Sequence, residues 1–303
     1  LNIIQLSLLS FLFLLNVNLS SQENQQVFEE IIVTAEKRDE SLQTISQAVT
    51  AITESEIDDK NITSFVDLTS IVPGVTVAKN EGYKTVISIR GVGNETNQNA
   101  IAAPSVAYHM DGVFIASPFS LQTDFVDIER IEVLRGPQGT LFGQNSTGGA
   151  INVISKKPST SAFSSNASMT IGDYNLRKVS SSTNFPISDS VATKFTFTST
   201  ERDGFSKNVV TGQDLDDASN ISLRSDWIFE LSDTSSLRIF GQYFDSDRNG
   251  AAMRGIDDAN DSMRKLSQDS LSKQELTSKV IALIYESDLG YASLKILGSI
   301  QED

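Results

Sequence analysis

The stretch DIERIEVLRGPQGTLFGQNSTGGAINVISKKP, residues 127–158, decides the fold of this chain. It reads as a strand with alternating charges, a Gly-Pro turn and a second, apolar strand. Upstream, short β-branched segments alternate with Gly, Pro, Asn and Ser. Two further stretches carry helix signals: acidic residues open the first at 53–60, and Phe65, Leu68 and Ile71 recur at helical spacing in the second. Together they predict one compact α+β domain of about 120 residues.

Downstream of Pro158 the pattern changes to a strict alternation of apolar and polar side chains. In VATKFTFTS, Phe195 and Phe197 lie on the face opposite Lys194. The same period of two recurs in the segments 220–229, 236–244 and 291–300. A period of two indicates strands that are apolar on one face and polar on the other. We count about seven such strands in residues 160–303, on the period-two criterion.

The connections between these strands alternate in kind, which favours a membrane barrel. Tight turns follow the strands near residues 188, 231 and 287, whereas the connections 202–217 and 245–273 are long and polar. Transmembrane β-barrels have short turns on one side and long loops on the other, with apolar side chains toward lipid. A soluble β-sandwich or barrel shares the alternation and stays open as an alternative. Because closed barrels hide their strand edges and single-chain bacterial barrels have at least eight strands, we expect the chain to be an N-terminal fragment.

The first 21 residues read as a targeting segment. Residues 1–20, LNIIQLSLLSFLFLLNVNLS, contain an apolar run with the length of a signal-peptide core, followed by the polar SQENQQ. No Lys or Arg precedes the run and no clean cleavage site follows it, so a buried or membrane-anchoring helix is the alternative. The predicted organisation is therefore a signal peptide at 1–21, a segment at 22–36, an α+β domain at 37–158 and a partial barrel at 159–303.

Composition excludes several kinds of chemistry. The chain has no Cys and one His, so it offers no disulfide, zinc-thiolate or iron–sulfur site and no thiol nucleophile. With 24 Lys+Arg against 39 Asp+Glu, its net charge of −15 argues against a nucleic-acid partner. Gly136 to Gly143 has the spacing of a phosphate loop but lacks its Lys. The segment 245–250 matches half of a calcium loop, with Ile256 where Glu is needed. We predict no catalytic residues, no metal site and no cofactor.

Residues 127–158 resemble the plug-domain signature of TonB-dependent outer-membrane receptors. FEEIIVTAEKRDESLQ (28–43) is similar to the TonB box and the start of the plug, and the segments 68–77, 87–93 and 104–116 resemble later parts of the plug. GDYNLRKVS (172–180) is similar to the first barrel hairpin of that family. Two residues depart from the pattern: His109 replaces an apolar residue, and Gln144 replaces a basic one, which weakens one expected plug–barrel contact.

The resemblance implies an α+β plug domain followed by an antiparallel transmembrane β-barrel of 22 strands. It implies that Ile31, Ile32, Val33, Thr34 and Ala35 form the TonB box, which pairs with periplasmic TonB by strand addition. From the residues alone, this β-branched segment is too isolated to build a core. The alternative is that it forms an edge strand of the plug.

The resemblance also implies which residues hold the plug inside the barrel. Charges in the signature and in two Gly-containing turns are expected to face the lumen wall, and ion pairs between hydrated surfaces contribute about 0–1 kcal/mol each. In the turns, Gly permits positive φ. The predicted plug motif and plug–barrel contact residues are Arg90, Gly91, Asp111, Gly112, Glu129, Arg130, Glu132, Arg135, Gly136, Gly143, Gly148 and Gly149.

The function implied is energised uptake of a scarce extracellular ligand across the outer membrane of a Gram-negative bacterium, without catalysis. A ferric siderophore or other iron complex is the first expectation, and cobalamin, haem or an oligosaccharide is the alternative. The expected partners are TonB, outer-membrane lipid and a small extracellular ligand; the residues that bind the ligand are unknown. Distant alternatives are a passive porin or adhesin barrel and a secreted β-rich binding protein.

Overall fold

The structure is a computed structural model that describes residues 31–34, 40–80, 84–93, 104–117 and 124–303. The predicted signal peptide at 1–21 and Ala35 of the predicted TonB box lie outside these residues. Within the described ranges, no helix is long and apolar enough to cross a membrane.

The part of the chain before residue 160 forms three small sheets and short helices. Its strands are β1 (Ile32–Val33), β2 (Glu40–Ser41), β3 (Val49–Thr53), β4 (Val75–Asn80), β5 (Lys84–Ile89), β6 (Val92–Gly93), β7 (Val106–Met110), β8 (Val113–Phe114), β9 (Ile128–Arg135) and β10 (Gly149–Ser155). The α-helices are α1 (Glu54–Asp59), α2 (Leu68–Ile71) and α3 (Gly139–Phe142), and a 3-10 turn spans Phe65–Asp67. The second predicted helix is thus split, because Asp67 accepts hydrogen bonds from the backbone N–H groups of Thr63 and Ser64 and caps the 3-10 turn.

The residues quoted at the outset form the centre of a five-stranded sheet. Its order is β3-β9-β10-β7-β8, with β10 parallel to β7 and antiparallel to β9. Every residue of β10 is buried, because β10 has neighbours on both edges and packing on both faces. Gly149 opens this strand at a φ of +148°, and a Cβ there would lie 2.3 Å from the carbonyl oxygen of Leu134. No residue with a side chain fits without displacing β9.

The two faces of this sheet pack into two different cores. Ile151 and Val153 belong to the larger core, which also contains Phe65 and Leu68 from the helical segment. Ala150 and Leu134 belong to a smaller core that includes Val33 of β1. Successive residues of a strand point to opposite faces of the sheet, so the layer formed by β9 and β10 separates the two cores.

Residues after 160 form a seven-stranded antiparallel sheet, in agreement with the predicted number. The strands of this region are β11 (Ser164–Gly172), β12 (Leu176–Ser188), β13 (Val191–Arg202), β14 (Ser206–Asn208), β15 (Asp214–Leu215), β16 (Ala218–Ser232), β17 (Ser235–Asn249), β18 (Lys265–Leu266), β19 (Lys273–Asp288) and β20 (Ser293–Glu302). The large sheet has the order β11-β12-β13-β16-β17-β19-β20, so each strand pairs with its predecessor in the sheet. The fold is an α+β plug followed by antiparallel barrel strands, as the sequence predicted.

The two faces of the large sheet differ as the alternation predicted. On its inner face, Phe240, Val280 and Ile284 are buried against the larger plug core. On its outer face, Phe195, Leu223 and other large apolar side chains are exposed. An aromatic row also crosses the outer face near the short turns, with neighbouring ring centroids 5.4 to 6.4 Å apart: Phe163, Phe185, Phe195, Trp227 and Phe229. Aromatic rows of this kind lie at membrane interfaces.

The long connections fold over the opposite end of the sheet. Strands β14, β15 and β18 form a separate three-stranded sheet from the two longest connections. The half-match to a calcium loop at 245–250 lies largely within β17. Residues 245–249 continue β17 and pair with β19, so their backbone is extended and cannot wrap around an ion.

We predict that Gly149→Ala destabilises the plug by about 2 kcal/mol or more, because the new Cβ must displace the Leu134 carbonyl group at a positive φ. The matched control is Gly139→Ala in α3, where a Cβ meets nothing within 4 Å. Hydrogen exchange of β9 and β10 in the full-length protein measures the effect. Equal hydrogen-exchange protection in Gly149→Ala and Gly139→Ala contradicts the steric explanation.

Candidate functional site

The turn between β7 and β8 carries a carboxylate from the plug to the barrel wall. Asp111 and Gly112 have φ values of +52° and +85°, the combination that a two-residue type I′ hairpin requires. The turn is held by two features of the sequence: Gly adopts a positive φ freely, and Asp tolerates it. The carboxylate of Asp111 is thereby placed at the inner face of β16 and β17.

Asp111 lies in a buried cluster with two arginines and a second aspartate of the barrel. Its Oδ2 is 2.5 Å from Nη2 of Arg224, and its Oδ1 is 3.3 Å from Nη1 of Arg238. Asp226 completes the cluster, with its Oδ2 2.6 Å from Nη2 of Arg238 and 3.1 Å from Nη2 of Arg224. Ser155 at the end of β10 donates its hydroxyl to Asp111 Oδ2 at 2.8 Å. The four charges sum to zero.

Burial makes this cluster a strong constraint on the position of the plug. The side chains of Asp111, Asp226 and Arg238 are 1%, 3% and 5% exposed. Burial alone would raise the pKa of Asp111, but the guanidinium groups of Arg238 and Arg224 lower that pKa from 3.8 to about 2. A buried charge that loses its partner is costly, so the β7–β8 turn cannot leave the barrel wall without a large penalty.

Three further ion pairs join the plug to other barrel strands. Asp127 pairs with Lys194 of β13 at 2.8 Å, and both side chains are 10% exposed. Asp124 pairs with Lys178 of β12 at 3.1 Å. On β19, Glu286 accepts a hydrogen bond from Lys157 at 3.2 Å.

The sequence reasoning missed these contact residues, although one signal for them was available. Charged side chains on the inward face of a predicted strand, such as Lys194 and Arg224, need a partner inside the barrel. The partner of Arg224, Asp111, is among the predicted contact residues. The partner of Lys194 is Asp127, the first residue of the signature, and the partner of Lys178 is Asp124, just before it. No pattern in the sequence marks either aspartate as a contact.

The segment predicted as the TonB box is docked on the plug. Ile32 and Val33 form β1, which pairs with β2 in antiparallel register, Ile32 opposite Ser41 and Val33 opposite Glu40. The side chain of Val33 is 0% exposed and packs in the smaller core, whereas Ile32 is 41% exposed. The prediction that this segment is too isolated to join a core is therefore wrong. The alternative that it forms an edge strand of the plug describes its structure.

Glu132 of β9 holds the next residue of this segment. Its Oε1 accepts a hydrogen bond from the Thr34 backbone N–H at 2.7 Å, and the Thr34 hydroxyl lies 3.1 and 3.0 Å from the two carboxylate oxygens. Arg130 Nε and Asn152 Nδ2 donate to the same carboxylate at 2.9 and 3.3 Å. The side chain of Glu132 is 0% exposed, so these bonds replace its entire hydration shell.

The expected roles of the signature charges need correction. Glu129, Arg130 and Glu132 pair with one another or with the N-terminal segment, and not with a described barrel residue. The reason is that β9 lies inside the five-stranded sheet, with a neighbour on each side. Arg90 and Arg135 form no ion pair among the described residues; Arg90 is exposed, and its backbone N–H donates to the Gly74 carbonyl oxygen at 2.7 Å.

The predicted glycines lie in turns and at close contacts within the plug. Gly91, Gly112, Gly136 and Gly143 have positive φ, and a Cβ on Gly148 would lie 2.8 Å from the Val92 carbonyl oxygen. The two departures from the family pattern differ in burial. His109 is buried between the rings of Phe114 and Phe142, whereas Gln144 is exposed.

A cavity of about 1080 Å³ separates the docked segment from the barrel strands at the short-turn end. Ile32 and Thr34 line it on the plug side, together with Glu129 and Arg130. Residues of the barrel turns, including Glu230 and Asp233, line the opposite side. The N-terminal strand therefore faces open space at this end of the barrel.

The comparisons with known proteins agree with this geometry. Residues 41–150 match the family described as TonB-dependent Receptor Plug Domain. Over these residues the chain has the plug domain of TonB-dependent receptors. It is an outer-membrane protein, as its relatives in this family are.

Among the relatives of this chain are two curated proteins. The pesticin receptor of Yersinia pestis is 33% identical over 144 residues, which cover 46% of this chain and 20% of that receptor. The vitamin B12 transporter BtuB of Vibrio vulnificus is 25% identical over 223 residues, which cover 73% of this chain and 36% of the transporter. The chain thus spans well under half the length of the curated relatives it matches.

Two solved structures share the fold. The ferric yersiniabactin uptake receptor FyuA from Yersinia pestis superposes with a TM-score of 0.72 at 20% identity, covering 84% of this chain and 40% of that receptor. The ferripyoverdine receptor of Pseudomonas aeruginosa superposes with a TM-score of 0.70 at 17% identity, covering 88% of this chain and 35% of that receptor.

We predict that Asp111→Asn destabilises the docking of the plug by about 3–5 kcal/mol, because it leaves two buried guanidinium groups with one carboxylate. The matched control is Asp124→Asn, whose ion pair with Lys178 is 19–21% exposed and should cost about 1 kcal/mol or less. Hydrogen exchange of β7 and β10 in the full-length receptor measures both. Similar losses in the two variants would show that burial does not set the strength of these pairs.

We also predict an acid-dependent weakening that depends on Asp111. A carboxyl group whose pKa is lowered on folding stabilises the fold above its unfolded pKa of 3.8, and this stabilisation is lost as the pH falls toward 2. The lost stabilisation is about 2 to 3 kcal/mol, from 1.36 kcal/mol per pKa unit. The difference in exchange protection between the unsubstituted receptor and Asp111→Asn should therefore narrow between pH 5 and pH 2. A constant difference contradicts the prediction.

Proposed function

We propose that this chain is part of a receptor that takes up a scarce extracellular ligand with energy supplied through TonB. The observation that carries the proposal is the arrangement of the plug. One face of its central sheet is fixed to the barrel by buried ion pairs, while an N-terminal β-branched strand on the other face borders open space. Such a strand offers main-chain groups for strand addition by a partner protein.

The ligand we propose is a ferric siderophore or another iron complex, bound as cargo. Support comes from the resemblance in fold to receptors whose names state ferric yersiniabactin and ferripyoverdine. Cobalamin is the second candidate, because BtuB of Vibrio vulnificus aligns with 73% of this chain. Growth of a receptor-deleted strain that carries the full-length gene, on a panel of ferric siderophores or on cyanocobalamin, separates the two candidates.

We further propose that the outer face of the barrel strands contacts outer-membrane lipid. The exposed apolar side chains and the aromatic row near the short turns support this assignment. The short turns then lie on the periplasmic side and the long connections outside. This orientation places the docked N-terminal strand at the periplasmic end, where TonB can reach it.

The coupling role is tested by Ile32→Pro in the full-length receptor. Proline removes the Ile32 N–H, which points away from β2, so the change should block addition of a partner strand and spare the β1–β2 pairing. We expect uptake of radiolabelled ligand to fall by about tenfold or more while ligand binding to whole cells is retained.

The matched control for this test is Ile32→Ala, which removes the side chain and keeps the main chain. Strand addition takes its affinity from main-chain hydrogen bonds, so uptake should be nearly normal in this variant. Normal uptake by Ile32→Pro would refute the assignment of this strand as the TonB box.

A further inference from the structure

The edge of β1 that faces away from β2 is the surface a partner strand would use. The Leu42 N–H donates to the Ile31 carbonyl oxygen at 2.9 Å, and Ile32 lies opposite Ser41. In an antiparallel pair, alternate residues direct their main-chain groups to the same neighbour. Ile31 and Val33 therefore bond toward β2, and the main-chain groups of Ile32 and Thr34 point to the opposite edge.

No described strand pairs with that opposite edge, and the side chain of Glu132 occupies it instead. The sheet that contains β1 has two strands, β1 and β2. At Thr34, the outward N–H bonds to Glu132 Oε1 at 2.7 Å, and the hydroxyl bonds to both carboxylate oxygens. A carboxylate on a backbone N–H is a charge-assisted bond, stronger than the bond a strand carbonyl would make there.

We propose that Glu132 is a positioning residue that stands in for the partner strand and holds the N-terminal strand on the plug. A partner strand can then extend along β1 past Ile32 only after the bonds between Glu132 and Thr34 have broken. The identity of that partner rests on the proposed function, whereas the hold itself does not. Glu132 thus sets the fraction of molecules in which the N-terminal strand is released from the plug when no ligand is bound.

The surroundings of Glu132 allow the strand to leave and return. After release of Thr34, the carboxylate keeps Arg130 Nε at 2.9 Å and Asn152 Nδ2 at 3.3 Å. The adjoining cavity of about 1080 Å³ borders Thr34, Arg130 and Asn152 and has room for water to replace the lost donors. The free-energy cost of release is therefore the loss of a few hydrogen bonds and of the burial of Val33. No buried charge is left without a partner.

The proposal is tested by the mobility of the strand in the full-length receptor without TonB. The 303 residues contain no cysteine, so Ile32→Cys gives a single labelling position in this part of the chain, at an exposed side chain. A nitroxide label at this position gives an immobile component in its EPR spectrum when the strand is docked and a mobile component when the strand is released. We expect Glu132→Gln to raise the ratio of mobile to immobile label by about tenfold, because Gln loses the charge and one acceptor.

Two further variants make the test specific. Glu129→Gln is the matched control: its side chain is 44% exposed, pairs with Arg130 and makes no bond to Thr34, so the label should stay immobile. Thr34→Val removes the hydrogen bonds of the Thr34 hydroxyl to Glu132 and leaves Glu132 in place. It should mobilise the label even if Glu132→Gln does not fold. Equal mobility in Glu132→Gln and the unsubstituted receptor overturns the proposal, and so does an immobile label in Thr34→Val.

Binding of a TonB C-terminal fragment separates this proposal from the proposed function. If the strand is the TonB box, the ligand-free Glu132→Gln receptor should bind the fragment about tenfold more tightly, in proportion to the released fraction. A mobile label with unchanged affinity supports the hold by Glu132 and contradicts the coupling role. An immobile label contradicts the hold, whatever the affinity.

Discussion

The buried carboxylate of Asp111 is the constraint on which the rest of the structure depends. A charge that is 1% exposed must be fully paired, and here both partners come from the barrel strands β16 and β17. Because Asp111 sits on a two-residue turn, its position fixes β7 and β8, and through the Ser155 hydroxyl it also fixes the end of β10. The central sheet of the plug is thereby placed against the barrel wall, and Phe240 and Ile284 can close the common core.

Glu132 is a second buried carboxylate, but the origin of its partners differs. Asp111 is balanced by guanidinium groups on the barrel, whereas Glu132 is balanced by one arginine of its own strand, an amide and the N-terminal segment. Breaking the contacts of Asp111 with the barrel leaves buried charges without partners. Breaking the contacts of Glu132 with Thr34 leaves a carboxylate that is still paired with Arg130. The same physical rule, that buried charge must be paired, therefore gives one permanent attachment and one that can be released.

Much of the fold, but only part of the site, was predictable from the sequence. The period of two predicted about seven strands and placed Lys194, Arg224 and Arg238 on the polar face, opposite the apolar side chains. It did not predict their partners, because Asp111 and Arg224 are 113 residues apart and pairing follows from tertiary packing. The family resemblance implied that Glu132, like the other charges of the signature, faces the lumen wall. Yet it shares a face with Leu134, which is 0% exposed, so the alternation itself indicates that this face is covered.

The separation of these two attachments onto opposite faces of one sheet has a mechanical consequence. Along β10, Ile151 and Val153 face the core shared with the barrel, while Ala150 and Asn152 face the N-terminal strand. A force applied to β1 loads first the bonds of Thr34 and the packing of Val33, and reaches the Asp111 cluster only through the whole sheet. The weaker and nearer contacts break before the ion pairs that fix the plug to the barrel. Under the proposed release, the N-terminal strand can therefore leave the plug while the central sheet stays in register with the wall.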